Sequence, residues 1–183
     1  MKSTAIMLIG LPCSGKTTFV REHFPNIRSV SSDDRLEEIA KRYGMTYTEA
    51  FEKYSFDAQR LFKADFIQAI AKHDSFVIDR TNLLSSNRKN LLSKIPSGKF
   101  LKMGIVFSPA SPENLEVIFK KREQEGKIIP DQIYKKMTEI FEQPSLDEGF
   151  DVLYSSEEYL KRIDNTNDSC NYCFSMNEVI KHD

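Results

Sequence analysis

The chain has 183 residues, 26 basic and 27 acidic, with 40% hydrophobic content and a formal net charge of −1. That is the size of one domain, long enough to bury about two-thirds of its unfolded surface without staples. The balanced charge excludes a protein built to coat nucleic acid, though not an enzyme that touches a few phosphates through a local patch.

Thr4 to Ile9 reads as a continuous apolar strand, of the kind buried on both faces of a parallel sheet. It runs straight into Gly10-Leu11-Pro12-Cys13-Ser14-Gly15-Lys16-Thr17, a complete phosphate-binding loop, and Thr18 to Phe24 then reads as helix. In that setting the loop N–H groups close around an anion and the helix N-terminus adds partial positive charge. Lys16 reaches the outer phosphates and Thr17 offers its hydroxyl to Mg2+. A nucleoside triphosphate is the expected ligand, held by Gly10, Pro12, Cys13, Ser14, Gly15, Lys16, Thr17 and Thr18.

Residues 27–31 form a short second strand that ends at Ser32-Asp33-Asp34, and the helical stretch after it breaks near Tyr43-Gly44-Met45. Thr48 is placed to cap a long helix whose Phe51, Tyr54, Ala58, Leu61, Phe62, Phe66 and Ala69 keep helical spacing. Ser75 to Asp79 is a third strand, followed by a helix through Leu92 capped by Ser85 or Ser86. Lys102 to Phe107 is the fourth. Ser111-Pro112-Glu113 starts a helix with proline at its first position, running toward Glu125, where Gly126 stops it. Pro130 opens another helix through Phe141, and Phe150 to Tyr154 is a fifth strand. Strands separated by helices predict an α/β fold, a three-layer α/β/α sandwich around a parallel sheet of about five strands.

The expected domain covers residues 1–155, with 156–183 an extension packed on the same body. Asp164 to Ser169 is turn-rich. Cys170-Asn171-Tyr172-Cys173 is a lone pair at metal-like spacing without a second pair, a weak metal signal, and a tail that packs Tyr172, Phe174, Met176 and Val179 on the body is the expected reading. Three cysteines make no full disulfide framework, no apolar run nears the ~20 residues of a membrane span, and no signal-peptide pattern opens the chain. A cytoplasmic protein with no membrane partner is expected.

Ligands of open α/β sheets gather beyond the C-terminal ends of the strands. Asp33 sits at such an end, where a carboxylate can take a proton from an acceptor hydroxyl attacking a γ-phosphate. Helix capping is the plain alternative, and it suits Asp34, which would support the site. Arg35 can pair with an aspartate or reach an acceptor phosphate. Asp79 follows three apolar residues, as a carboxylate that holds water on magnesium does. Thr81 and Asn82 suit the placing of a substrate, or an ordinary turn. Arg88, a turn into the next helix, points back at the site or into solvent. Lys120 to Lys127 is a mixed-charge helix end before a glycine. It suits a mobile lid that brings positive charge onto the transferring phosphoryl group, or a solvated face.

In this order the phosphate loop, the Asp33-Asp34 pair, the Asp79-x-Thr81-Asn82 turn and the Gly126…Pro130 region resemble the kinase domain of the polynucleotide 5′-hydroxyl kinase family, of the phage and zeta-toxin-like group. The resemblance covers residues 4–154 and implies ATP, Mg2+ and phosphoryl transfer to a nucleic acid 5′-hydroxyl. It implies Asp33 as general base and Lys16 and Thr17 on the phosphates and metal; Asp79, read from its place at the strand end, joins Thr17 on the metal, and Arg122 is the nearest candidate for the family's lid cation. Asp34, Arg35, Thr81, Asn82 and Arg88 fall on the acceptor side. The arginine that follows the family's aspartate pair is Leu36 here, with Arg35 one place earlier. Kinases of modified bases in phage DNA, of nucleosides or of other small hydroxyl compounds share this core. An ATP-binding switch that transfers to nothing is the non-enzymatic alternative.

Overall fold

The computed structural model describes residues 2–165. In chain order the elements are β1 (Ser3–Ile9), α1 (Lys16–His23), β2 (Arg28–Val30), α2 (Ser32–Tyr43), α3 (Tyr47–Lys72), β3 (Phe76–Ile78), α4 (Ser85–Leu92), β4 (Phe100–Val106), α5 (Pro112–Gln124), α6 (Asp131–Glu139), β5 (Val152–Ser155) and α7 (Ser156–Asn165). The five strands form one sheet in the order β2-β3-β1-β4-β5, every pairing parallel. Parallel pairing forces each connection to cross the sheet, and helices accordingly cover both faces.

β1 is central and is buried along nearly its whole length because successive side chains feed two cores. Ala5, Met7 and Ile9 join Phe62, Phe66 and Ala69 of α3 and Leu92 of α4 on one face. Ile6 and Leu8 join Phe19 and Phe24 on the α1 side and Tyr159 of α7 on the other. Burying one such phenylalanine contributes about 1.5–3 kcal/mol, so the aromatic spacing of α3 seats that helix on the sheet. The three-layer parallel architecture read from the sequence is the one observed.

Several expected caps are corrected. The hydroxyl that closes the α2 N-terminus is Ser31, accepting from the N–H groups of Asp33 and Asp34, so neither aspartate is the cap. At α3 the cap is Thr46, in a reciprocal capping box with Glu49, rather than Thr48. No serine side chain caps α4: Leu84 holds that position, and the Ser85 N–H donates to the Glu142 carboxylate at 2.6 Å. Ser111 caps α5 with Pro112 behind it, as the sequence implies.

Tyr159 and its neighbours Leu160 and Ile163 pack α7 onto the sheet's α1 face. The Cys170 to Cys173 pair lies outside the described residues. Among the described residues no helix is long and apolar enough to cross a membrane.

Candidate active site

Gly10 to Gly15 joins the central strand to α1 at the point where the sheet reverses its direction of growth, since β1 is followed in sequence by β2 but lies beside β3 and β4. Gly10 lies so close to the chain after β4 that an added Cβ would meet Phe107 at 3.0 Å. Gly15 turns into α1 with φ +90°, a conformation that suits a residue without Cβ. Cys13, between them, is held at φ 66°. A non-glycine residue in the left-handed region costs energy and persists where the loop over-determines it.

Lys16 folds back into this loop. Its Nζ donates to the Gly10 carbonyl at 3.0 Å, the Leu11 carbonyl at 2.5 Å and the Ser14 hydroxyl at 3.0 Å. Only 7% of the residue is exposed, and burial pulls its pKa down to about 8 against the charges of Asp79 and Asp33. Thr17 donates its hydroxyl to Asp79 Oδ2 at 3.0 Å, which ties the start of α1 to the end of β3. Asp79 is also buried, and its carboxyl is pushed up to about 6 by desolvation, opposed by Thr17 and Lys16. Thr18 is exposed in the first turn of α1.

A hydroxyl and a desolvated carboxylate side by side suit a hard divalent cation. Among the described residues no group of three or more His, Cys, Asp or Glu is placed to hold a metal unaided. The pair therefore fits Mg2+ shared with nucleotide phosphates, since that ion keeps much of its shell as water and phosphate oxygen.

The elevated carboxyl of Asp79 has a consequence for metal-free protein. Its folded pKa exceeds the unfolded value of 3.8, so between pH 3.8 and about 6 the native state binds more protons and stability falls as pH rises. Asp79→Asn is expected to remove that loss and to raise stability at pH 7 by about 2–3 kcal/mol, while abolishing metal-dependent turnover. Urea melts in chelator at pH 4 and pH 7 check it; a parallel loss in wild type and variant would place the titration elsewhere.

Asp33 is exposed in the first turn of α2 and its charge acts on Lys16, Asp79, Tyr47 and Arg80 together. Asp34 is half-buried, and burial raises its carboxyl with help from Glu37 and Asp33. Tyr47, at the start of α3, is a neighbour that sequence reasoning passed over. Burial first, then the Asp33 charge and a hydrogen bond to it, push its hydroxyl well above the usual range. The only sequence signal for it is an aromatic residue one position after a helix cap.

The segment expected to act as a lid consists of α5, α6 and the turn between them. Thr48, displaced from capping, clamps that turn: its N–H and hydroxyl both donate to the Gly126 carbonyl, and its oxygen accepts from the Ile128 N–H. Lys127 pairs with Glu37 of α2 at 2.6 Å. Arg122 thereby reaches the phosphate loop, where its charge acts on Cys13 and Lys16. Its Nε is buried and has no hydrogen-bond partner, and the same holds for the Tyr134 hydroxyl of α6, which stands near Cys13. Two orphaned donors beside an anion-binding loop are what a bound polyphosphate would satisfy. Tyr134 also escaped the sequence reading, because helical spacing alone marks it as packing.

Other expected acceptor residues are placed differently. Arg88 is fully buried, with Nε and Nη2 on the Glu148 carboxylate at 2.6 and 2.7 Å and Nη1 on the Asn82 and Leu83 carbonyls. Four of its five N–H groups are committed and the side chain is fully buried, so the expectation that it meets substrate is corrected: it is a strut between α4 and the turn at Leu146–Glu148. Asn82 is buried at φ 48°, its amide donating to the Leu8 and Arg80 carbonyls, so it too holds the turn rather than a substrate. Arg35 gives Nε to Asp65 and Nη1 to Glu38, both at 2.6 Å, and braces α2 on α3 rather than reaching an acceptor. The Thr81 carbonyl accepts from the Gly10 N–H, leaving its half-buried side chain at the rim.

Breaking the strut tests this assignment. Arg88→Met strands the Glu148 carboxylate in the interior and is expected to cost about 3–5 kcal/mol in urea unfolding. Adding Glu148→Leu is expected to recover most of it. Recovery of stability and activity together separates a strut from a ligand for substrate.

Comparison with known proteins gives a consistent setting. A family model described as an AAA domain, AAA_33, matches residues 6–144. The L-seryl-tRNA(Sec) kinase of Methanococcus maripaludis is 24% identical over 176 residues, which is 94% of this chain and 66% of that protein. The chain thus spans just under two-thirds of that relative's length. A Chloroflexus aurantiacus protein described as a candidate kinase superposes with TM-score 0.62 at 17% identity, covering 88% of this chain and 92% of that one. Chaetomium thermophilum Kti12, in complex with ADP-AlF3, gives 0.58 at 14%, covering 88% and 96%. At these identities the structural likeness shows a shared P-loop kinase fold.

Proposed function

We propose that this chain, which belongs to the AAA domain family AAA_33, is an ATP-dependent kinase that transfers the γ-phosphate to a hydroxyl of a nucleic acid, the 5′-hydroxyl end of DNA or RNA. The observation that carries this reading is the convergence of Asp33 with Lys16, Thr17 and Asp79 beneath a lid that presents Arg122.

The loop N–H groups and Lys16 hold the outer phosphates in place, and Lys16 exchanges loop carbonyls for phosphate oxygens as they arrive. Thr17 and Asp79 would hold Mg2+, which when bound would supply neutralisation of charge on the phosphates. Asp33 accepts the proton of the acceptor hydroxyl, whose oxygen bonds to γ-phosphorus while the bond to the β–γ bridging oxygen breaks. ADP keeps the electron pair and the proton leaves Asp33 for solvent. Arg122 stabilises the charge spread over the transferring group, in a site from which the lid excludes water. A cavity of about 400 Å3 beyond the ends of β4 and β5, lined by Phe107, Pro109, Phe141, Pro144 and Tyr154, suits the nucleotide base.

Rings and cations alternate on the rim formed by α2 and α3, which favours a polynucleotide acceptor. Tyr43 stacks on Tyr54 with centroids 5.5 Å apart, and Tyr47 on Phe51 at 6.4 Å. Arg42 lies over Tyr43, Lys53 over Tyr54 and Lys127 over Tyr47. Half-exposed rings beside cations receive bases and phosphates of a single strand. A nucleoside or other small hydroxyl compound is the second reading, favoured by the net charge of −1 and by Glu37 and Glu49 on the same rim.

The test is transfer of labelled phosphate from ATP to a short 5′-hydroxyl strand beside a 5′-phosphorylated control. Label on the first alone supports an end kinase. Label on neither sends the acceptor to modified bases or small compounds, and the salt dependence of acceptor KM then separates the two, because a polyanion gives a steep slope.

A further inference from the structure

The first turn of a helix leaves N–H groups without partners and the last turn leaves carbonyls, with partial charges of opposite sign. Two such ends meet here. Thr48, in the first turn of α3, gives its N–H to the carbonyl of Gly126, just past the end of α5, at 3.1 Å. Its hydroxyl donates to the same carbonyl at 3.0 Å and accepts from the Ile128 N–H at 3.2 Å. Gly126 stands at φ +70°, and an added Cβ would meet the Thr46 Cβ at 3.0 Å, so the turn is seated tightly on the residue that caps α3. The Lys127–Glu37 pair lies beside this contact, but an ion pair so exposed adds little.

Neither α5 nor α6 contains a buried residue, and the two lean on each other through Phe119 and Tyr134, whose rings meet edge-on at 5.4 Å. Their root is fixed, since the Glu142 N–H donates to the Leu83 carbonyl and its carboxylate accepts from the Ser85 N–H. A helix pair anchored at its root with no buried side chain of its own depends on polar contacts at its tip, and such contacts open locally. The tip governs Arg122, because the Lys127 N–H donates to the Arg122 carbonyl at 2.8 Å within the same turn. The Arg122 Nε in its turn is buried and has no hydrogen-bond partner.

We propose that Thr48 is a positioning residue: it catches the tip of the α5–α6 segment on α3 and so sets Arg122 over the phosphates of a bound nucleotide. This rests on the reading of Arg122 as the cation of that site and adds what places it. The catch sits on the arm that carries Asp33 and Tyr47, so closing it over nucleotide fixes the phosphate side and the proton-accepting side in one movement.

The test needs no acceptor. ADP and a non-hydrolysable ATP analogue, each with Mg2+, are titrated calorimetrically into the full chain. Wild type is expected to bind the analogue about tenfold more tightly than ADP, through Arg122 on the γ-phosphate, and Arg122→Met to lose most of that gap. Thr48→Val, which keeps the shape and loses the hydroxyl, is expected to narrow the gap to about twofold with ADP affinity nearly unchanged. Thr48→Ser, which retains the hydroxyl, should keep the gap. In the Arg122→Met background Thr48→Val should change nothing further. Amide exchange reads the catch itself: the analogue is expected to slow exchange at Ile128 in wild type and not in Thr48→Val. A Thr48→Val protein that keeps the gap, or whose loss multiplies with that of Arg122→Met, overturns the proposal whatever its stability. So does Ile128 exchange in wild type that is the same with and without analogue. A gap that survives Arg122→Met overturns the reading of Arg122 and the proposal with it, whereas failure of wild type to bind either nucleotide overturns the nucleotide reading beneath both.

Discussion

Lys16→Met is expected to lower phosphoryl transfer by about a thousandfold while leaving the fold intact, the first because of where the charge sits and the second because of what surrounds it. The ammonium is held inside the loop by two carbonyls and the Ser14 hydroxyl, so its charge already lies beside the phosphate positions and it exchanges the carbonyls for phosphate oxygens when ATP binds, before transfer begins. Methionine has a similar length and fills the same space, so packing survives and only the charge is lost. The folded protein is not expected to suffer, since burial already holds the Lys16 pKa at about 8 against an ordinary value near 10.5. Between those two values the unfolded chain binds the extra proton, so wild-type stability rises as pH climbs from about 8 to 10.5. The variant should lack that rise. Single-turnover transfer assays with denaturant melts at pH 8 and 10 test both halves. Normal transfer would remove Lys16 from the reaction, and a collapsed fold would make it structural.

The phosphate loop was legible because its chemistry is local: glycines, a lysine and a threonine within eight residues specify both conformation and ligand. The sheet was legible for a related reason. Strands buried on both faces read as unbroken apolar runs, and Thr4 to Ile9 is one. Caps were less so, because Ser31 against Asp33, or Thr46 against Thr48, differ by a residue or two while all are capping types. The acceptor side failed for a deeper reason. Whether an arginine is a ligand or a strut depends on which carboxylate the fold brings to it, and Glu148 lies 60 residues from Arg88.

Asp33→Asn separates the base from the cap. Transfer is expected to fall by about 10²–10⁴-fold, the usual contribution of a positioned general base, with ATP affinity unchanged within about twofold. Capping predicts something different: normal chemistry and a weakened α2. The structure gives the capping oxygen to Ser31, so the cost in stability is limited to the interaction of one exposed carboxylate with the helix dipole, about 0.3–1 kcal/mol. Ser31→Ala, in contrast, is expected to cost about 1 kcal/mol while leaving Asp33 charged. Tyr47 refines the comparison, because it is half-buried and the Asp33 charge acts on its hydroxyl. Tyr47→Phe should therefore slow transfer only in the presence of Asp33, with no further effect in the Asp33→Asn background, as a double-mutant cycle reads directly. Additive losses would mean that Tyr47 acts on the acceptor independently. Full activity in Asp33→Asn would require another base, and with it a different orientation of the acceptor in the cleft.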